Sequence, residues 1–295
     1  MKHLLNFLKT SSYLSILTLT IVLTACGQDS GSNSSGNTTS DTNISSSLSG
    51  SVGDGPIVGA TVNIYDNQGT LVDSVISNDR ANYSAHITMT ADAYPLTIEV
   101  EGGTDLVTGL PPDFHMTSFV QQPLAKNINI NPFSTLIVEI ARRMPAGITE
   151  DTIRSATAIV VDEMNFGLDP AIIADSITTK VTDDNVAVFV RSSEALGEMI
   201  RRTRDSLSGT GSVTSADDVV AAIADDIADG SLDGVGSGMS SHRIAAVSKL
   251  ASAQVLIELL SNNLEVAGTV ATDTIDNAIV TTHPTISPSE LTDSI

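Results

Sequence analysis

The feature that most constrains this chain is a single change of hydrophobic period at Asn131-Pro132. Before it, apolar and polar residues alternate in short runs: Ala60–Tyr65, Leu71–Ile76, Asn82–Ile87, Leu96–Val100 and Asn127–Ile130. Turn-forming strings separate them, among them Asp54-Gly55-Pro56, Asp66-Asn67-Gln68-Gly69, Gly102-Gly103 and Pro111-Pro112. Period two with a turn about every eight to twelve residues is the pattern of short strands that bury one face. After the switch, apolar residues recur at three and four, the helical period. The expected fold is therefore α+β and multidomain: an N-terminal all-β sandwich over 48–131, an α-helical bundle domain over 132–280 and a loose tail over 281–295.

Helices are expected over 132–144, 149–165, 184–207, 215–228 and 241–264. In the second, Ile153, Ala156, Val160 and Met164 share one face. The fourth opens on Ser215-Ala-Asp-Asp218, a capping-box-like start with acids at the positive helix end, and stops at Asp229-Gly230. Ile244 to Leu260 is apolar nearly all round, so it is expected to be the central buried helix of the bundle. Lys249, Gln254 and Glu258 inside it argue against a membrane span.

At the other end of the chain, Lys2 and Lys9 accompany an apolar run, Leu14–Leu23, too short to cross a bilayer core of about 30 Å. This is the layout of a secretory signal peptide. The run closes on Leu23-Thr24-Ala25-Cys26-Gly27, which resembles the lipobox of bacterial lipoproteins. The resemblance implies cleavage before Cys26, a diacylglyceryl group on its sulfur and a further acyl chain on its amine; Gly27, in place of Asp, implies the outer membrane. Residues 1–25 are then a lipoprotein signal peptide, and 26–47 a lipid anchor followed by a flexible Ser/Gly/Asn tether. Two or more acyl chains anchor stably where one binds reversibly, and residues 27–47 would reach about 25 Å as a Gly/Ser-type coil. Cys26 is also the single cysteine of the chain, which excludes an internal disulfide and a Cys-based zinc site.

A second resemblance lies in the strand region. Gly50-Ser-Val52, Pro56-Ile57-Val58-Gly59-Ala60-Thr61-Val62, Asp66 to Gly69, Ser77-Asn78-Asp79 and Asn82-Tyr83 are similar to the carboxypeptidase regulatory-like domain over about residues 48–100. The resemblance implies a prealbumin-like sandwich with a structural or adhesive role and no catalytic residues. The chain departs from the family at Asn82, where Gly usually precedes Tyr; Asn tolerates positive φ better than most residues. The helix start Asn131-Pro-Phe-Ser-Thr-Leu136 after a sandwich is similar to that of uncharacterised surface lipoproteins and implies no activity.

Chemistry-bearing patterns are sparse. G-x-S-x-G and S-x-x-K do not occur; Ser237, in Gly234-Val-Gly-Ser-Gly238, reads as part of a flexible loop. His86, His115, His242 and His283 lack a Glu three residues on, so no zinc-hydrolase spacing is present. The phosphate-loop pattern is absent as well. Among the acids Asp217, Asp218, Asp225, Asp226, Asp229 and Asp233, Asp229 and Asp233 are the Ca²⁺ candidates, although EF-hand spacing is missing. Arg191, Arg201, Arg202 and Arg204 on the third helix are expected to pair with carboxylates across the bundle. No cofactor is expected.

Charge limits the partners. The chain has 35 acidic and 14 basic residues, net −21. Losing residues 1–25 removes Lys2 and Lys9 and no acid, leaving 12 basic against 35 acidic, net −23. Nucleic acid is excluded as a general partner, and no basic lipid-binding face is expected. The absence of Trp and the eight aromatics left after residue 25 argue against glycan stacking. The expected function is a lipid-anchored, non-enzymatic cell-envelope protein that binds or scaffolds at the outer membrane. It holds the membrane through acyl chains on Cys26, with an envelope protein as a possible partner. The alternative is an envelope hydrolase with a site assembled in the helical domain, favoured by a cleft joining His115 or His242 to acids.

Overall fold

A computed structural model describes residues 42–123, 125–211 and 213–291. Cys26 and the segments on either side of it, up to residue 41, lie outside the described residues. The architecture is mixed: strands fill the N-terminal half and helices the C-terminal half.

The strands are β1 (Ile44–Ser51), β2 (Ile57–Val58), β3 (Thr61–Tyr65), β4 (Leu71–Ile76), β5 (Asn82–Met89), β6 (Leu96–Glu101), β7 (Thr104–Asp105) and β8 (Met116–Val120). β4-β3-β6-β8 form an antiparallel sheet; β1 pairs with β5 and β2 with β7, both antiparallel. Alternation does what period two requires. Tyr83, Ala85 and Ile87 of β5 and Leu96, Ile98 and Val100 of β6 are buried, while their neighbours are exposed or half-buried. The strand expected at 127–130 runs beside β1 through parallel bridges, Ser49 to Asn127 and Val52 to Ile130. Ile44 to Ser47, expected at the end of the tether, already belong to β1.

The helices are α1 (Pro132–Arg143), α2 (Glu150–Met164), α3 (Val186–Leu207), α4 (Ala216–Ile227), α5 (His242–Leu260), α6 (Thr272–Thr282) and α7 (Pro288–Leu291). A two-stranded hairpin, β9 (Glu265–Val266) and β10 (Thr269–Val270), separates α5 from α6. α1 starts where the sequence says it must. The Asn131 side chain accepts from Ser134 N, Ser134 Oγ accepts from Asn131 N, and Pro132 needs no amide partner at the first helical position. Ser134 Oγ also donates to the Thr117 carbonyl at 2.7 Å, and Thr117 N donates to Thr135 Oγ1 at 3.0 Å. These bonds seat α1 on β8, which is why every residue of β8 is buried.

The described residues form one compact unit, and a continuous hydrophobic core runs through it from Leu48 and Ile64 to Val255, Ile279 and Leu291. Two expectations are corrected here. The central helix is α3, buried on nearly every side, and not α5. α5 packs against α3 and buries Ile244, Ser248, Ala251 and Val255. It turns a second apolar stripe outward, with Leu250, Ile257 and Leu260 exposed by 68%, 67% and 74%. Two apolar stripes on opposite faces explain why α5 reads as apolar all round. The tail expected to be loose is docked as far as Leu291, which is buried and whose carbonyl accepts from Arg191 Nη2 at 2.9 Å.

Candidate functional site

Three segments bring charge into the core at one place. Asp54 sits in the Gly53-Asp54-Gly55-Pro56 turn after β1, and Asp105 ends β7. Glu194, Glu198 and Arg201 lie on one face of α3, since residues four and three apart stack on a helix. All five are buried; Glu194 has no exposed surface. Burial of a charge is costly unless it is paired, so the bonding of each matters.

Arg201 holds three of the carboxylates: Nη1 donates to Asp54 Oδ2 at 2.7 Å, Nη2 to Glu194 Oε2 at 3.1 Å and Nε to Glu198 Oε2 at 2.9 Å. Arg202 takes the other Glu198 oxygen at 2.9 Å and grips Glu258 of α5 with two nitrogens at 2.8 and 2.6 Å. Asp54 Oδ1 accepts from the amide of Gly55 at 3.0 Å. Asp105 accepts from Val107 N through Oδ1 at 2.9 Å, and from Thr108 Oγ1 and N through Oδ2 at 2.6 and 3.1 Å. Glu194 Oε1 is buried and has no hydrogen-bond partner among the described residues.

Two glycines make room. A Cβ on Gly55 would collide with Glu194 Oε1 and Asp105 Oδ1, and one on Gly197 would collide with Asp54 Oδ2. Neither glycine has positive φ, so both are required by space and not by backbone conformation. Asp54, Asp105 and Glu194 each place a carboxylate oxygen within 4.8 Å of the others. Burial, then the neighbouring Asp54 charge, pushes the carboxyls of Glu194 and Asp105 above the usual range. Burial pulls on Arg201 in the opposite sense, but Asp54 and Glu194 outweigh it and hold the guanidinium charged.

The expected arginine pairings are present. Besides Arg201 and Arg202, Arg191 reaches Asp276 of α6 at 2.9 Å and Arg204 reaches Asp113 at 3.0 Å. Some partners lie across the helices and others in the strand half.

The residues singled out from sequence are placed as follows. Asp229 and Asp233 each accept from an amide two residues on, Ser231 and Val235, at 3.2 and 2.8 Å. Asp226 organises the loop that contains Ser237, accepting from Gly234 N, Gly236 N and Ser240 Oγ. Asp225 meets Arg143 Nε and the amide of Met239. Asp218 closes the α4 cap with Ser215. His86 bonds Ser47 Oγ at 2.8 Å, and His242 Nδ1 lies 3.0 Å from the Asp233 carbonyl. His115 donates its backbone N–H to Asp217 at 2.8 Å and lines a surface groove of about 460 Å³ with Glu99, Glu139, Arg142 and Asp217.

Sequence reading did not single out Asp54, Asp105 or Glu194. One signal was available: Glu194, Glu198 and Arg201 occupy a helix whose neighbours Phe189, Val190, Leu196, Met199 and Ile200 are all apolar, so charges were bound to enter the core. Compared with known proteins, the chain matches no family model, no curated protein and no solved structure.

Proposed function

We propose that this chain is a lipid-anchored, non-enzymatic envelope protein that binds or scaffolds at the outer membrane. The observation that carries this reading is the single cysteine at the end of Leu23-Thr-Ala-Cys26, behind a basic start and an apolar run. The Ser/Gly/Asn stretch after it, followed by a first strand at Ile44, supports a tether leading into a folded body. Within that body we read the β1–β5 pair and the β4-β3-β6-β8 sheet as the two layers of a prealbumin-like sandwich. Support comes from Leu48 and Ile87 on one side and Ile64 and Ile98 on the other, all fully buried in the same core.

Labelling cells with radioactive palmitate tests the anchor. Label on the wild-type chain, with precursor accumulating under globomycin, is the expected result. A Cys26→Ser chain that still takes up label and stays with the membrane fraction defeats the reading.

One observation favours a second reading, an envelope hydrolase. The groove lined by His115, Glu99, Glu139 and Asp217 gathers an imidazole and carboxylates on one surface, the residue types general acid–base chemistry uses. Turnover of ester or peptide substrates that disappears in His115→Ala would support it; wild-type chain without turnover supports the first reading.

A further inference from the structure

The buried carboxylates of Asp54, Asp105 and Glu194 hold more negative charge than their neighbours cancel. Arg202 is shared between Glu198 and Glu258, and Asp54, Asp105 and Glu194 are left against the guanidinium of Arg201. Two negative charges remain in a region with almost no solvent contact. Such a region admits excess charge only with a counter-ion or with protons.

We propose that these three residues form a binding site for a hard divalent cation, with Ca²⁺ the first to test. Five observations carry it. The donors are carboxylate oxygens, with no nitrogen or sulfur among them, which selects Ca²⁺, Mg²⁺ or Mn²⁺ over Zn²⁺. Their mutual spread, within 4.8 Å, fits across a Ca²⁺ shell whose Ca–O distances are about 2.3–2.6 Å. Glu194 Oε1 is a fully buried acceptor with no donor, and it shares its side of the cluster with Asp105 Oδ1. Gly55 lacks the side chain that would fill the space both oxygens occupy. Arg201 takes Oδ2 of Asp54 and Oε2 of Glu194, and so orients the two side chains as an outer-shell partner does in metal sites. A cation of charge two would cancel the excess. Protons on Glu194 and Asp105 are the rival occupants: one shared proton would cancel half of the excess, and one on each would cancel all of it.

Because the site is closed, the ion is expected to enter as the chain folds, so its binding energy is part of the folding energy. The experiment uses the full-length chain, unfolded in denaturant with chelator and refolded with or without Ca²⁺, Mg²⁺ or Mn²⁺, followed by elemental analysis and thermal melting. A stoichiometric divalent ion after dialysis and a raised Tm are expected. Glu194→Gln and Asp105→Asn should weaken Ca²⁺ binding by more than about tenfold, while Asp229→Asn/Asp233→Asn keeps it. Should Glu194→Gln fail to fold, Asp105→Asn at the end of β7 decides alone. The proposal is overturned if the refolded wild type holds no divalent metal and its Tm ignores all three ions at millimolar levels. It is equally overturned if binding survives Asp105→Asn, or is lost in Asp229→Asn/Asp233→Asn and not in the triad variants.

Discussion

A methyl group at position 197 would run into the Asp54 carboxylate. Alanine is the better helix former by about 1 kcal/mol, yet at this position the collision displaces Asp54 from Arg201. Gly197→Ala is therefore expected to cost about 1–3 kcal/mol net, as overpacking does, measured as a lower urea midpoint at unchanged slope. His283 offers a residue-scale test of pH. Burial holds its imidazole below the ordinary value, Arg80 adds to that, and Asp183 opposes it. The folded state thus binds this proton less readily than the unfolded chain, whose histidine titrates near 6.5. The contribution is complete above about pH 6.5 and is lost as the pH falls below it. His283→Gln should flatten the fall in stability below about pH 6.5; an unchanged slope in the variant would assign that fall to other groups. The sequence shows Asp54 only as turn punctuation and Glu194 only as a polar position on a helix. Neither residue carries a local sign of the other, because 140 positions separate them.

At the scale of elements, α1 and α5 make opposite demands. The start of α1 is fastened twice, by its own cap and by Thr117 of β8. Asn131→Ala should cost about 0.5–2 kcal/mol from the cap. The Asn131 Nδ2 bond to the Ser176 carbonyl is lost with it. On α5, Ile244 faces the core and Leu250 faces away. Ile244→Ala is expected to cost about 2–5 kcal/mol and Leu250→Gln within about 0.5 kcal/mol. Equal costs from chemical denaturation would contradict the two-stripe description. The elements most legible in the sequence were those with one clear period. α1 and α2 appear within a residue or so of their expected bounds, and β4 matches residue for residue. β8 was not legible because Met-Thr-Ser-Phe-Val is buried on both faces and does not alternate. α6 was missed because Thr-, Ile- and Val-rich segments favour strands. Its buried Ile275, Ala278, Ile279 and Thr282 nevertheless keep helical spacing.

For the whole molecule, the charge cluster ties the strand half to the helical half. Arg201→Met removes one partner from a buried network and leaves Asp54, Glu194 and Glu198 facing one another. The expected loss is about 3–5 kcal/mol. In the wild type, hydrogen exchange at the β1 amides and the helical circular dichroism should report one shared unfolding transition; two separated transitions would mean that the cluster does not couple the halves. The same tie sets an order of assembly. Asp54 and Arg201 are 147 positions apart, so a chain made from its N-terminus completes every strand from β1 to β8 before the partner of Asp54 exists. Contacts this distant in sequence slow folding, because the intervening loop must close before they repay its entropy. The strands must therefore wait with their two carboxylates in water, and the docking of α3 is the event that seals them.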